Sequence, residues 1–236
     1  MNKQVDITKD AQVDTTFVYF DIETIPSDSP ELLNRIKKNL SPPAAMKKQE
    51  TIEKWWAEQA DDVANGKLGK TSFDGGRGQI CVISFYINDL QTLFFQSGDF
   101  VTERDMIAGF FGALPKSNVT LVGHNITTFD IPFITKRAIC LGVKLPNPWV
   151  WPRSPRPYGN NKGICDTMLD WDSQRDKWTS MDELCDILGI EGKTGMDGSQ
   201  VAAEWAAGNC EKVAAYCADD VERTRKIHQY FLKAGY

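Results

Sequence analysis

Hydrophobic and polar positions change their periodicity along the chain, and the changes predict a mixture of strands and helices. Aromatic and β-branched residues dominate segments 17–22, 79–87 and 91–96, which predicts three early strands. Short apolar runs at 119–125 and 163–166 predict two later ones. Helical patterns cover segments 31–40, 44–64, 102–113, 129–143, 180–189, 198–207 and 210–233.

The order of these elements indicates a fold class and one domain. Strands come first, strands and helices then alternate, and helices end the chain, which is typical of an α/β mixed sheet covered by helices. We expect a polar tail over 1–16 and one domain over 17–236, with a helical insertion at about 31–77. The pattern leaves the strand topology open.

Composition favours a cytoplasmic globular protein. The 236 residues are 42% hydrophobic and 25% charged, an ordinary globular mixture. The N-terminus is polar, and no apolar run reaches the roughly 18 residues of a membrane span. The six cysteines form no C-x-x-C pair, so reduced, buried thiols are favoured over disulfides or a zinc site.

The net charge of −5 argues weakly against non-specific binding of nucleic acid. The objection is limited, because carboxylates that hold divalent cations contribute negative charge where a bound metal would reverse the local sign.

Asp21 and Glu23 stand two apart at the end of the first predicted strand, so both side chains face the same way. Neighbouring carboxylates repel unless a positive group lies between them, and hard divalent cations prefer such oxygen ligands. Taken alone, a D-x-E pair is more often a solvated strand end.

Two later segments add carboxylates. Asp130 begins a predicted helix directly after the 119–125 strand, where it could also simply favour the helix dipole. Tyr216 and Asp220 lie four apart in the last helix and share a face, which in isolation is more often ordinary packing.

Together these segments resemble the three motifs of the DEDD exonucleases, which have the RNase H-like fold. Asp21-Ile22-Glu23-Thr24 is similar to the first motif, Asn125 to Asp130 to the second, and Tyr216 to Asp220 to the third in its tyrosine (DEDDy) form. The resemblance is strongest to the exonuclease domain of family B DNA polymerases, particularly its stand-alone bacterial and phage-type relatives. It spans about residues 17–233.

The resemblance implies a 3′–5′ exonuclease that releases nucleoside monophosphates from the 3′ end of DNA, with single strands expected. It implies two Mg²⁺ or Mn²⁺ ions held by four carboxylates, with a tyrosine that orients the nucleophile; these residues are Asp21, Glu23, Asp130, Asp220 and Tyr216. Thr24, Asn125 and Phe129 would contact the terminal nucleotides. Asp219 adjoins Asp220, but the four-residue step from Tyr216 favours Asp220 as the ligand.

Two other segments are candidates for substrate contact. The loop 146–163 places Arg153, Arg156, Tyr158 and Lys162 among aromatic residues and prolines, as single-strand paths do, although a surface loop stiffened by proline is an equal alternative. The insertion carries Trp55-Trp56 and several lysines; a helical pair with one Trp packed underneath is favoured over a flap that covers the substrate. Lys193 is a weaker candidate for a phosphate contact.

Three alternatives remain open at this stage. The substrate could be RNA or a short oligoribonucleotide, because no residue here reads the 2′-OH. The chain could be a catalytically weak single-strand-binding accessory of a polymerase, although all four carboxylates are present. A structural domain with coincidental acids ranks last. Protein partners and the pathway, whether proofreading in trans, repair or degradation, are not indicated.

Overall fold

The computed structural model describes residues 15–87, 90–95, 102–153, 155, 162–172, 177–192 and 195–236. Within them a five-stranded sheet forms the centre of the molecule, in the order β3-β2-β1-β4-β5. Its strands are β1 (Thr16–Ile25), β2 (Gln79–Ile87), β3 (Leu90–Phe95), β4 (Val119–Gly123) and β5 (Ile164–Asp166).

The sheet is mixed, as the element order predicts. β1 and β2 pair antiparallel, as do β2 and β3, whereas β1 and β4 run parallel, as do β4 and β5. The residue types of Asn88-Asp89-Leu90 predict a short hairpin connection; Asn88 and Asp89 lie outside the described residues, and Leu90 begins β3. β1 therefore has hydrogen-bonded neighbours on both sides, which makes it the central strand.

Helices cover both faces of this sheet. In chain order, the helices of the described residues are α1 (Pro30–Lys38), α2 (Gln49–Glu58), α3 (Ala60–Gly69), α4 (Glu103–Ala113), α5 (Asp130–Cys140), α6 (Thr167–Trp171), α7 (Met181–Leu188), α8 (Val201–Ala206) and α9 (Cys210–Lys233). On one face Val18, Phe20 and Ile22 of β1 pack against α4 and α5. On the other face Tyr19 packs against α7 and α9, so the predicted α/β class with two covered faces is confirmed.

Local sequence explains why several helices begin and end where they do. Thr102 caps α4 by accepting a hydrogen bond from the backbone N–H of Asp105, as its sequence predicts. Ser180 caps α7 in the same way, and Gly189 ends α7 in the left-handed conformation that glycine adopts without strain.

A buried ion pair ties two helices to the sheet. Glu103 of α4 accepts two hydrogen bonds from Arg137 of α5, at 2.7 and 2.8 Å, and a third from the backbone N–H of Ile80. These bonds fix α5, whose first residue is Asp130, against β2.

The segment between β1 and β2 forms a small helical layer with its own apolar cluster. Trp55 packs inside it with 3% of its surface exposed, whereas Trp56 is 43% exposed, which confirms the packing of one Trp underneath. The predicted single helix 44–64 is wrong. The chain breaks at Gln59 into α2 and α3, and a 3₁₀ turn over 70–73 follows.

That 3₁₀ turn docks the helical layer onto β1. The Thr24 hydroxyl donates to the Ser72 carbonyl at 2.7 Å, and the backbone N–H of Ser27 donates to the Thr71 hydroxyl. Gly75 lies so close to the backbone of Phe133 that a Cβ atom would come within 2.7 Å of its carbonyl oxygen. The insertion therefore ends against the same part of α5 that follows Asp130.

Other differences from the predicted elements have local causes. α5 ends at Cys140 rather than 143, because Gly142 takes a positive φ of 66°. The helix predicted at 198–207 begins as a 3₁₀ turn over 198–200 and continues as α8. α6 was not predicted; at five residues it is too short for a 3.6-residue period to show.

The cysteines and the helices of the described residues bear on two expectations from composition. The described cysteines are free, and four of them are buried: Cys81, Cys165, Cys185 and Cys217. Among the residues that the structure describes, no helix combines the length and apolar character needed to cross a lipid bilayer.

Candidate active site

Asp21 and Glu23 lie on the central strand and point to the same side of it. The register of β1 against β2 shifts between Glu23 and Thr24, so the strand carries an irregularity immediately after the acidic pair. Ligand atoms of Asp21, Glu23 and Cys217 lie within 4.8 Å of one another. The Cys217 thiol donates to an Asp21 carboxylate oxygen at 3.3 Å.

Asp130 joins this pair from α5. Its carboxylate is buried and accepts a hydrogen bond from the backbone N–H of Ile22 at 3.2 Å, between the two acids of β1 in the sequence. The connection from β4 to α5 turns sharply: a Cβ atom on Gly123 would approach the Ile126 side chain to 2.0 Å, and Asn125 adopts a positive φ of 65°. This turn brings the start of α5 back over β1.

α9 supplies the third group. Asp220 is buried and lies 2.8 Å from the guanidinium of Arg223, which is itself buried. Arg223 also pairs with Asp219, a half-exposed neighbour, and with Asp182 of α7. Asp220 thus faces the interior while Asp219 faces outward, which fits the assignment from residue spacing.

The electrostatics of these groups show that they share one site. Burial raises the pKa of Asp21 well above its usual range, and Asp130, Glu23 and Asp220 raise that pKa further. The pKa of Asp130 rises to about 8, mainly because the carboxyl is buried and to a lesser extent because Asp166 lies nearby. Burial, followed by the charges of Asp220, Glu23 and Asp21, raises the pKa of the Tyr216 phenol.

This donor set fits divalent metal ions. Asp21, Glu23, Asp130 and Asp220 offer carboxylate oxygens, which are the ligands that Mg²⁺ and Mn²⁺ prefer. The mutual increase in carboxylate pKa reflects negative charge that bound cations would offset. Arg223 offsets part of that charge through its ion pair with Asp220.

The structure places the predicted substrate residues in different settings. Thr24 follows Glu23 directly, and its hydroxyl is engaged by Ser72. Asn125 accepts a short hydrogen bond from the Thr128 hydroxyl, and the ring of half-buried Phe129 lies 5.6 Å from that of Phe133. Both residues belong to the turn that leads into Asp130.

The predicted single-strand loop is only partly described. Arg153 donates a hydrogen bond to the Pro146 carbonyl oxygen at 2.5 Å, a contact within its own loop. Arg156 and Tyr158 lie outside the described residues, as does Lys193.

Sequence reasoning missed three residues near the site. Asp166 ends β5 and accepts hydrogen bonds from the turn that carries Asn125; nothing in the ICD run of β5 sets it apart. Arg223 could have been found, because it lies three residues after Asp220 on the same helix. Phe73 is 76% exposed in the 3₁₀ turn that Thr24 contacts, and only the tertiary docking of that turn reveals it.

The fold is similar to that of one solved polymerase. The structure of the family B DNA polymerase from the hyperthermophilic archaeon Pyrobaculum calidifontis matches with a TM-score of 0.56 and 20% sequence identity. The match covers 93% of this chain and 25% of that one, so this chain spans about a quarter of the polymerase's length. The likeness shows the RNase H-like fold.

Sequence comparisons identify the family. No match is found among curated proteins. Residues 79–233, from β2 through α9, match a family described as a predicted 3′–5′ exonuclease related to the exonuclease domain of PolB. The matched segment contains Asp130, Tyr216 and Asp220, whereas Asp21 and Glu23 precede it and join it through the central strand. The chain therefore belongs to the family of predicted 3′–5′ exonucleases related to the exonuclease domain of PolB.

Proposed function

We propose that the chain is a divalent-metal-dependent 3′–5′ exonuclease of the DEDDy type that removes nucleoside monophosphates from the 3′ end of single-stranded DNA. One observation carries the proposal. Carboxylates from β1, α5 and α9, which are far apart in the sequence, converge closely enough to raise the pKa of Asp21 together. Such convergence is costly without bound cations, and it is typical of functional sites.

In this proposal Asp21, Glu23, Asp130 and Asp220 hold two Mg²⁺ or Mn²⁺ ions. Bound there, the ions supply the positive charge that activates water and stabilises the leaving 3′ oxygen in phosphodiester hydrolysis. The backbone N–H of Ile22 holds one Asp130 oxygen, and Arg223 holds one Asp220 oxygen. Asp130 and Asp220 are therefore oriented before any substrate enters.

Tyr216 would act as a hydrogen-bonding group rather than as a base. Its raised pKa keeps the phenol protonated at neutral pH, and a protonated phenol can donate a hydrogen bond that orients water or a phosphate oxygen. The phenol hydrogen-bonds with Asp220, and Asp220 and Glu23 both contribute to its raised pKa.

The rim of the site supports a single-stranded substrate. Exposed Phe73 lies on the 3₁₀ turn that contacts Thr24, and half-buried Phe129 lies directly before Asp130. Exposed aromatic rings stack on unpaired bases and contribute about 1–3 kcal/mol per base in single-strand sites. We propose that these rings, together with Thr24 and Asn125, contact the terminal nucleotides.

The decisive test is cleavage of a 5′-labelled single-stranded DNA oligonucleotide in Mg²⁺, Mn²⁺ or EDTA. We expect a ladder that shortens from the 3′ end, and we expect EDTA and the Asp21→Ala substitution to abolish it. Asp28→Ala is a matched control, because Asp28 is an exposed acid shortly after β1. If the wild-type protein leaves the DNA intact under every condition, the proposal of exonuclease activity on DNA is refuted.

Parallel substrates decide the remaining alternatives. Matched RNA and duplex DNA of the same sequence measure the preference for sugar and strandedness. Cleavage of RNA alone would make the enzyme a ribonuclease that uses the same chemistry. Binding of single strands without cleavage of any substrate would favour the accessory role.

A further inference from the structure

Asp166 holds the turn that leads from β4 into α5. Its buried carboxylate accepts hydrogen bonds from the backbone N–H groups of Asn125 and Thr127, each at 2.8 Å. It also accepts from Met168 and Leu169, at 3.2 and 3.3 Å, which caps α6. One carboxylate thus connects the end of β5, the start of α6 and the turn that carries the predicted substrate residues.

The two oxygens of this carboxylate accept hydrogen bonds from different backbone groups. Oδ1 accepts from Asn125, Met168 and Leu169, while Oδ2 accepts from Thr127. Asn125 holds a left-handed φ of 65°, a region that is uncommon for non-glycine residues and that asparagine tolerates better than most. The bond from the Asn125 N–H to Asp166 acts at this left-handed residue.

The conformation of the turn determines where two groups of the site lie. Asn125 is the left-handed residue of this turn, and Asp130 begins α5 five residues later. Capping of α6 needs only one acceptor oxygen, so the two bonds to the turn exceed what a cap requires.

We propose that Asp166 is a positioning residue for the nuclease site: its carboxylate fixes the turn so that Asn125 faces the substrate and Asp130 enters the metal-binding cluster. The inference rests on the function proposed above. Asp166 acts through the backbone of the turn and has no direct part in the chemistry.

Two substitutions separate this role from capping and from charge. Asp166→Ser keeps a cap of the kind that Ser29 and Ser180 provide elsewhere in this chain, but its single short oxygen cannot hold both N–H groups of the turn. Asp166→Asn loses the same charge yet retains an oxygen for Asn125, Met168 and Leu169. An effect of charge alone would therefore be equal in the two variants, whereas positioning predicts a larger loss in Asp166→Ser.

A matched control removes a comparable clamp away from the site. Asp172 accepts hydrogen bonds from both the backbone N–H and the hydroxyl of Thr179, in the connection before α7. Asp172→Asn weakens this clamp in the way that Asp166→Asn weakens the other. Melting temperature and circular dichroism then establish for each variant that the protein is folded at the assay temperature.

The readouts are Mn²⁺ binding, measured by electron paramagnetic resonance of free Mn²⁺, and kcat and KM on single-stranded DNA. We expect kcat to fall about 10- to 100-fold in Asp166→Ser, because a displacement of about 1 Å at a site can cost a factor of this size. Mn²⁺ affinity should fall several-fold in the same variant. Both kcat and Mn²⁺ affinity of Asp166→Asn should lie between those of Asp166→Ser and wild type. Asp172→Asn should have the kcat and Mn²⁺ affinity of wild type.

Several outcomes would overturn the inference. They are wild-type kcat and Mn²⁺ affinity in Asp166→Ser, equal losses in the Ser and Asn variants, or an equal loss in Asp172→Asn. If Asp166→Ser does not fold, Asp166→Asn against Asp172→Asn decides the question with the same measurements. If wild type does not cleave DNA, the proposed function fails, and Mn²⁺ binding alone still tests whether Asp166 positions Asp130.

Discussion

Ionisation of the buried carboxyls Asp21 and Asp130 lowers the stability of the fold, and the size of this effect depends on pH. The pKa of Asp130 rises to about 8 through burial, and that of Asp21 rises through burial and the neighbouring acids. In the unfolded chain both carboxylates would titrate near 4. Between these values the folded state binds more protons than the unfolded state, so stability must fall as pH rises.

We therefore predict that the free energy of unfolding of the metal-free protein decreases from about pH 6.5 to about pH 8. The slope is at most about 1.4 kcal/mol per pH unit for each group that titrates. Buried His228 has a pKa lowered to about 4, so it opposes this slope near its unfolded pKa of about 6.5 and contributes little above about pH 7.5. Urea denaturation in EDTA at several pH values measures the change.

Asp130→Asn supplies the control for this slope. The amide cannot ionise, so the variant should show a flatter pH dependence and greater stability at pH 8 than wild type. A slope that is unchanged in Asp130→Asn would show that the pKa of this carboxyl is not raised in the folded protein.

Adjacent acids in α9 offer a matched pair for activity. We predict that Asp220→Asn lowers kcat by more than about a hundredfold, because loss of a metal ligand should exceed the 10- to 100-fold cost typical of its outer partners. Asp219→Asn should retain activity within about threefold, since Asp219 is half-exposed and pairs with Arg223 on the outer side of the cluster. Single-turnover cleavage measures both, and similar losses in the two variants would contradict the assignment.

At the scale of single residues, the candidate site residues that the sequence identified are those with a regular or motif-like spacing. The step from Tyr216 to Asp220, the pair Asp21 and Glu23, and the position of Asp130 all follow from periodicity and resemblance. Asp166 could not be found in this way, because its role depends on backbone N–H groups 39 and 41 residues away. A carboxylate that binds backbone groups leaves no side-chain partner to recognise in the sequence.

The docking of the helical insertion depends on a glycine contact. We predict that Gly75→Ala destabilises the protein by about 1–3 kcal/mol, because the new Cβ would meet backbone atoms of Phe133 that cannot rotate away. Gly66→Ala is the control. It lies within α3 with open space around it, so it should stabilise the protein by about 0.5–1 kcal/mol. Chemical denaturation of both variants measures the difference, and equal stabilities would refute the contact.

The same docked segment carries Phe73. We predict that Phe73→Ala raises KM for single-stranded DNA about tenfold, since stacking on one base is worth about 1–3 kcal/mol, while kcat changes little. Tyr230→Ala is the control, because Tyr230 is exposed on α9, 14 residues beyond Tyr216, or roughly 20 Å along the helix axis. Equal changes in KM for the two variants would exclude a specific role for Phe73.

At the scale of elements, the strands were predicted better than the helices of the insertion. Alternation and β-branched residues located β1 and β2, although β1 continues through Asp21 and Glu23 to Ile25 rather than ending near the acids. The helical pattern of 44–64 continues through Gln59, so it carries no sign of the break between α2 and α3. Packing around Trp55, Ala60 and Ala64 orients these two helices separately.

At the scale of the whole molecule, the site concentrates acidic groups whose charge Arg223 offsets only in part. The chain has a net charge of −5, and four of its carboxylates meet at the junction of β1, α5 and α9. Folding must bring these charges together, and packing on both faces of the sheet offsets the cost. A ligand that binds only the assembled cluster should therefore stabilise the entire fold.

We predict that Mn²⁺ at about 100 times its dissociation constant stabilises the protein by about 2.7 kcal/mol, which is roughly 5–10 °C in Tm for a domain of this size. The double variant Asp21→Asn, Asp130→Asn should melt higher than wild type in EDTA at pH 8, because burial makes both carboxyls costly to ionise, and it should lose the response to Mn²⁺. Thermal denaturation at fixed pH measures both effects. A wild-type Tm that Mn²⁺ leaves unchanged would mean that the carboxylates do not form a metal site, whatever the protein cleaves. A double variant that melts lower than wild type in EDTA would mean that these acids stabilise the fold themselves, and their convergence would then need no cation to explain it.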